Sequence, residues 1–405
     1  MTKNPSLFIS HAADVALFYG FRPMRDIEKD LHLGARQIAK DHAALTPGSK
    51  AVMPAKAPRM PYSFAHTAQT CTTRFKQKNS APVLAFYTTP SPTYIPKTLA
   101  SGSVGEFGLQ VIGSSESLGE ILLLKTLFAI VSEWGAGVAR VRVNALGDHD
   151  SKMRFERELS VYLRKHANAL DPLCKKTSGE NLLGVYACPH ESCRQTLEGG
   201  PRAMNFLSEK SRAHFREVLE YIESLGLPYE IDDLLVGDER NPHIVFALDL
   251  AEADTTVLGG FGGRYDEYMR KQWGHKEGSA VSASIFFNKK GTNRSDFTAT
   301  PPATKTTSAT APKVYFVQLG NRAKLQGLAV VDLLRQAHVP VMQSFDAKGL
   351  APQLESARAG GASHLLIMGQ REALDGTIIV RSAATSAQVI LGLDALPRFL
   401  KTLKA

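Results

Sequence analysis

The sequence predicts a two-domain protein of mixed helices and strands: a larger N-terminal core, a linker, and a smaller C-terminal α/β domain. Three observations lead there. At 405 residues the chain exceeds the roughly 250–300 residues at which one hydrophobic core stops growing. Residues 289–312 are rich in threonine, proline and other small residues and carry no apolar periodicity, the mark of a linker. Beyond residue 313 the pattern becomes a regular alternation of apolar strands and amphipathic helices, which implies a partly parallel sheet with helices against it.

The core opens with an amphipathic helix over Leu7 to Tyr19, with Phe8, Ala12, Val15 and Tyr19 on one face and Gly20 as its stop. An extended segment, Phe21 to Met24, follows, and residues 40–80 are polar, Pro- and Thr-rich and read as irregular. Strands are expected at Val83 to Tyr87 and Phe107 to Ile112, then a helix from Ser117 to Glu133. A helix carrying Phe155, Leu159, Tyr162 and Leu163 on one face comes next. Another spans Ser208 to Leu225, stopped by Gly226, and leads into an extended Pro228 to Asp232. An apolar strand covers Ile244 to Leu250. In the C-terminal part the expected order is strand Val314 to Leu319, a helix, strand Val339 to Met342, a second helix and strand His364 to Met368. A hairpin is then expected at Asp375-Gly376, because Asp-Gly suits a type I′ turn, and a last helix ends in Leu400 and Leu403.

Composition narrows the function classes. A net charge of +9 and a pI near 9.3 suit a polyanionic partner without proving one. The longest apolar run, Ile121 to Val131, is interrupted by Lys125 and is too short to cross a bilayer, and no signal pattern opens the chain, so a cytoplasmic location is expected. The turn Leu319-Gly320-Asn321-Arg322 lacks the spaced glycines of a dinucleotide site, which excludes a nicotinamide cofactor of that type. Cys71, Cys174, Cys188 and Cys193 are too few and too unevenly spaced for a disulfide framework. Three of them, with His190, fall close enough in sequence to supply zinc ligands, but Cys174 lacks the nearby second cysteine of a usual zinc knuckle. Free thiols in an insertion are the expectation, and no metal is assigned.

Behind the strand Ile244 to Leu250 stands Gly262-Gly263-Arg264-Tyr265-Asp266. Two glycines let a backbone approach a ligand or take positive φ, and the next residue delivers a guanidinium that suits a carboxylate or phosphate. On spacing alone the same run reads as a tight hairpin exit with a solvated arginine.

This run resembles the Gly-Gly-Gly-Arg-Tyr-Asp signature of the class II histidyl-tRNA synthetases. Further strings are similar to that family: Glu106 to Ser114 to the second half of its motif 2, Val141 to Asp148 to its Ile-Asn-Ser-Leu-Gly-Asp string, and Pro228 to Asp232 to a strand. The C-terminal element order, with Gly349 to Leu354 and Gly361 to His364, resembles the family's anticodon-binding domain. The resemblance implies an α+β class II aminoacyl-tRNA synthetase-like core, an antiparallel sheet flanked by helices, plus a C-terminal α/β anticodon-binding-like domain. The expected boundaries are a core over 1–288 with an insertion at about 170–205, a linker over 289–312 and a C-terminal domain over 313–405. It also implies a homodimer and tRNA contact through the C-terminal domain, which carries ten Lys/Arg against six Asp/Glu from residue 314 onward.

Adenylation by such an enzyme brings a carboxylate to the α-phosphate of ATP and needs positioned cations and magnesium. Here the motif 2 arginine position falls near Thr93, and the Arg-Gly-Leu-Asp-Tyr-Tyr string falls on Val236 to Asn241, with valine for arginine. Motif 3 resembles Phe286-Phe287-Asn288-Lys289, where lysine keeps the charge without the planar fork. The family's amino-group glutamine and imidazole-reading glutamate correspond to Glu106 and Gln110, in reverse order, and its Arg-Pro-Glu-Gly-Thr string is absent. The residues assigned to a substrate or nucleotide pocket are Glu106, Gln110, Gly262, Gly263, Arg264, Tyr265 and Lys289, and none is assigned to catalysis. The expectation is a binding paralogue with weakened or lost activation. A divergent histidine-tRNA ligase using ATP and Mg is the first alternative, and a regulatory subunit of ATP phosphoribosyltransferase the second.

Overall fold

A computed structural model describes residues 5–24, 26–27, 82–90, 104–180, 182–188, 190–237, 242–252, 255–273, 278–288, 313–343 and 349–403. Expectations for residues 40–80, Cys71, Thr93, Lys289 and the linker lie outside the described residues.

The first helix, α1 (Pro5–Phe18), buries Phe8, Ala12 and Val15 completely, and Gly20 at φ +90° turns the chain into the two-residue strand β1 (Arg22–Pro23). Strands β2 (Val83–Thr89) and β3 (Val104–Ile112) are followed by α2 (Leu118–Glu133) and β4 (Gly137–Ala145). Then come α3 (His149–Lys165), α4 (Pro172–Glu180), α5 (Glu191–Glu198) and α6 (Glu209–Ser224). The remaining strands of this sheet are β5 (Tyr229–Ile231), β6 (Ile244–Glu252), β7 (Thr255–Arg264) and β8 (Ala280–Asn288), with α7 (Asp266–Trp273) between the last two.

These eight strands form one sheet in the order β1-β2-β3-β8-β7-β6-β4-β5. Its six inner strands pair antiparallel, and the short edge strands β1 and β5 pair parallel with β2 and β4. Strand alternation sends Phe107, Leu109 and Val111 of β3 and Val281, Ala283, Ile285 and Phe287 of β8 into one core with α1 and α2. The intervening residues face the other side of the sheet.

The Val141 to Asp148 string does structural work. Asn144 accepts from the Ala145 N–H and donates to the Leu235 carbonyl, pinning the loop after β5. Asp148 caps α3 through the Ser151 N–H and accepts from the Ser208 hydroxyl, itself the N-cap of α6. One carboxylate therefore ties together the starts of two helices.

A second sheet has the order β10-β9-β11-β12-β13. It contains β9 (Val314–Gln318), β10 (Met342–Gln343), β11 (His364–Met368), β12 (Thr377–Ser382) and β13 (Gln388–Gly392), with α8 (Asn321–Gln336), α9 (Leu350–Ala359), α10 (Gln370–Asp375) and α11 (Leu396–Thr402). Strands β10, β9 and β11 are parallel, as the alternation predicts, and β12 and β13 add antiparallel.

Two expectations are corrected here. Asp375-Gly376 is not a hairpin turn: Gly376, at φ 64°, is the left-handed C-cap of α10, a helix whose start is held by Glu372 accepting the Gly369 N–H. The hairpin lies later, between β12 and β13. Val339 is also not in a strand; its N–H bonds the Leu334 carbonyl in the turn that ends α8, and pairing begins at Met342.

Helix α8 rests on α1 and α2 through polar clasps. Asp332 accepts from the buried Tyr19 hydroxyl at 3.1 Å and pairs with Lys125 at 2.8 Å. Arg335 pairs with Glu133 at 2.7 Å and Asp14 at 3.1 Å while its guanidinium lies over the Phe18 ring.

Candidate functional site

The six described residues assigned to a pocket are split between the two faces of the sheet. Glu106 and Gln110 lie on the sheet face opposite α1 and α2, four residues apart on β3. Arg264 lies on the other face, under α2, and Lys289 is outside the described residues.

Gly262 and Gly263 are not a turn. They are residues of β7, hydrogen-bonded between β6 and β8, and neither has positive φ. Their lack of a side chain answers to packing: a Cβ on Gly262 would stand 2.4 Å from the Ser282 carbonyl oxygen, and one on Gly263 would stand 2.5 Å from that of Ile244. Tyr265 is buried beside Met24, Ile112, Met269 and Ala280.

Arg264 is 2% exposed and every N–H of its guanidinium is used. Nε and one Nη2 hydrogen donate to the two oxygens of Glu120, at 2.6 and 2.5 Å, in a bidentate pair. The other Nη2 hydrogen reaches the Glu116 carbonyl, and Nη1 reaches the Ser114 carbonyl at 3.0 Å and Asp266 at 3.3 Å. Asp266 in turn accepts the Ala280 N–H, and Glu120 accepts from His214 at 2.9 Å. The arginine thus locks α2, β7 and the start of α7 together and has no donor left for a ligand.

Burial alone raises the Glu120 carboxyl, but the Arg264 charge and hydrogen bonds, joined by His214, outweigh it and hold it at about 2 against an ordinary 4.5. A carboxyl lowered by folding stabilises the fold above its unfolded value and stops doing so as pH falls through the folded one. The Glu120 contribution is therefore complete above about pH 4.5 and lost toward about pH 2. Urea titrations between these limits should show falling stability in the parent, and a shallower fall in Glu120→Gln.

On the opposite face, Glu106 Oε1 accepts from the Tyr87 hydroxyl at 2.5 Å and from the Ser284 hydroxyl. The Tyr87 ring lies across Gly108, where a Cβ would stand 2.1 Å from it, and so covers the sheet between Glu106 and Gln110. Gln110 is completely buried between Ala85 and Ser282, yet neither its Oε1 nor its Nε2 has a hydrogen-bond partner among the described residues. Leaving such a group unsatisfied costs about 1–3 kcal/mol. Gln110→Leu should raise the unfolding free energy of the ligand-free protein by about 1 kcal/mol, read by urea denaturation.

The register partners of Glu106 and Gln110 on the flanking strands, Thr89, Ala85, Phe286 and Ser282, bring no cation. Arg22, exposed on the edge strand, is the register partner of Ala85. At the far end of the sheet Arg142 is bound by Asp249 and Asp232, both at 2.8 Å, and Arg140 by Glu230. Among the described residues, this donor set, a carboxylate, an amide, hydroxyls and already paired arginines, does not fit the α-phosphate of ATP. The Arg140/Arg142/Asp249 cluster was missed in the sequence; its signal is the alternation of Arg140 and Arg142 in β4 opposite a single aspartate within the apolar run 244–251 of β6.

The third group lies around α4 and α5. The Cys174, Cys188 and Cys193 sulfurs, expected to be free thiols, lie within 4.8 Å of one another.

An antiparallel sheet closed by short parallel edge strands, helices packed against it and a separate α/β sheet agree with the architecture expected of a class II aminoacyl-tRNA synthetase-like core with a C-terminal domain. No family model matches the chain. It is 26% identical over 287 residues to the histidine–tRNA ligase of Halothermothrix orenii, covering 70% of this chain and 67% of that protein. It is 26% identical over 304 residues to that of Bacillus licheniformis, covering 73% and 69%. Among solved structures, apo histidyl-tRNA synthetase of S. aureus aligns over 85% of this chain and 83% of that one, at 17% identity and a TM-score of 0.43. The chain is thus similar to histidine–tRNA ligases over about 70% of its length. No helix among the described residues is long and apolar enough to cross a membrane.

Proposed function

We propose that this chain is a histidyl-tRNA synthetase-like paralogue that works by binding, to tRNA or to another ligand, with amino-acid activation weakened or lost. The observation that carries this reading is the complete use of the Arg264 donors by Glu120, Asp266 and two carbonyls. It is the one arginine retained from the family's strings, and it is unable to replace those absent at Thr93 and Val236. Loss of a positioned cation costs a factor of roughly 10² to 10³ in such chemistry.

The Gln110 amide, without a hydrogen-bond partner among the described residues, supports a retained ligand. A neutral amide hydrogen-bonds an imidazole or a peptide-like group and has no charge to stabilise a cation. Charge supports RNA contact through the second sheet's domain, a net +4 from residue 314 onward (10 minus 6). ATP and magnesium belong to the family's reaction, and no step is assigned to them here. The working form in this reading is a cytoplasmic homodimer.

Histidine-dependent ATP–pyrophosphate exchange tests the reading. The expected result is no exchange above a heat-killed control, together with salt-sensitive retention of tRNA on a filter. Clear exchange identifies a divergent histidine–tRNA ligase instead.

A further inference from the structure

Cys174 stands in the first turn of α4, Cys188 directly after the 3₁₀ turn Leu182–Ala187, and Cys193 in the first turn of α5. Three separate elements thus deliver one thiol each to a single point. Cys174 and Cys193 are buried among Leu170, Val185 and Leu197, while Cys188 is half-buried and opens the cluster to one side.

That side holds an imidazole. His190 Nδ1 lies 3.2 Å from the Cys188 sulfur, and its Nε2 lies 3.7 Å from the Asp171 carboxylate. Backbone amides point at the sulfurs as well: the Asp171 N–H donates to Cys193 at 3.3 Å and the His190 N–H to Cys188 at 3.5 Å. Three soft sulfurs, one imidazole, N–H donors to the sulfurs and a carboxylate behind the imidazole are the complement of a closed tetrahedral metal site with its supporting shell.

We propose that Cys174, Cys188, Cys193 and His190 bind one zinc ion that staples the insertion. Zinc–sulfur bonds of about 2.3 Å place tetrahedral thiolates roughly 3.8 Å apart, which the convergence of the three sulfurs already approaches. Sulfur-rich donors favour zinc over magnesium or calcium, and a set with no open position is structural rather than catalytic. Binding converts the thiols to thiolates and releases their protons to solvent, so no oxidant or reductant enters. The first turns of α4 and α5 favour that negative charge. The physical need is plain: the segment holding α4 and α5 is too short to bury a core of its own, and a metal supplies the missing cohesion. The proposal does not depend on the reading of function given above.

The test is metal content of the full-length, fully reduced chain, followed by cobalt(II) titration after chelation. The expected result is one zinc per chain and, with cobalt, thiolate-to-metal charge-transfer absorption with intense visible bands of tetrahedral geometry. Cys71→Ser keeps both signals. Cys188→Ser abolishes them, and His190→Ala weakens zinc binding at least tenfold, as read by competition with a chelating dye. If Cys188→Ser fails to fold, the parent cobalt spectrum decides, because charge-transfer intensity counts the bound sulfurs. Absence of zinc and of a cobalt band in the reduced parent overturns the proposal. So does a pair of the three thiols that titrates only after reduction, which indicates a disulfide, or loss of the signals in Cys71→Ser.

Discussion

Arg264→Ala should destabilise the protein by about 3–5 kcal/mol, the range for removing one partner of a buried ion pair. Glu120, fully buried, would be left charged with His214 as its remaining described partner, and the Ser114 and Glu116 carbonyls would lose their donors. Arg264→Lys should recover little, because an ammonium has three donors on one nitrogen and cannot span both oxygens of Glu120. Urea unfolding measures this directly. A ligand-binding arginine would behave otherwise, with affinity lost and stability nearly unchanged. Consequently an activity loss in Arg264→Ala says nothing about catalysis unless the folded fraction is measured alongside.

Gly262→Ala is the second large effect. The added Cβ would meet the Ser282 carbonyl oxygen at 2.4 Å, the Phe246 ring at 2.6 Å and the Ala283 Cα at 2.8 Å. Two of these are backbone atoms of β8, so relief requires opening the β7–β8 ladder in the centre of the sheet. Overpacking costs about 1–3 kcal/mol where side chains can adjust, and a backbone obstacle places this case at or above the upper end. Gly179→Ala in α4, where nothing lies within 4 Å of the new Cβ, is the control and should be neutral or slightly stabilising. Thermal unfolding of the two variants side by side checks the contrast.

Helices α1, α3 and α6 were legible because their apolar residues recur at helical spacing, and α1 and α6 were bounded by the stop signals Gly20 and Gly226. Strand β7 was not. Its Gly-Gly-Phe-Gly-Gly run has too few side chains to show a two-residue period, so the glycines read as a turn when they answer to close packing between strands. Gly376 misled for a related reason, since left-handed φ serves a helix C-cap as well as a hairpin and only the Glu372 contact to Gly369 decides between them.

The role of Arg264 was beyond the sequence because its partner, Glu120, is 144 residues away and reaches it only when α2 packs on the sheet. The pairing of Glu106 and Gln110 on one face was readable from their spacing in β3. The Tyr87 ring between them was not, because it depends on the register of β2 against β3. The thiol cluster was raised by sequence proximity and set aside for want of a close pair at Cys174, because its members come from three short elements whose convergence only the fold shows.

Single-turnover adenylate formation tests the account most directly. Protein in excess of labelled ATP is mixed with histidine and magnesium and quenched over minutes, which reveals activation even when turnover is slow. The account predicts no histidyl-adenylate above a heat-killed control, although the folded protein retains tRNA. Near-stoichiometric adenylate per chain would contradict it and make this a working ligase with its cations supplied from elsewhere.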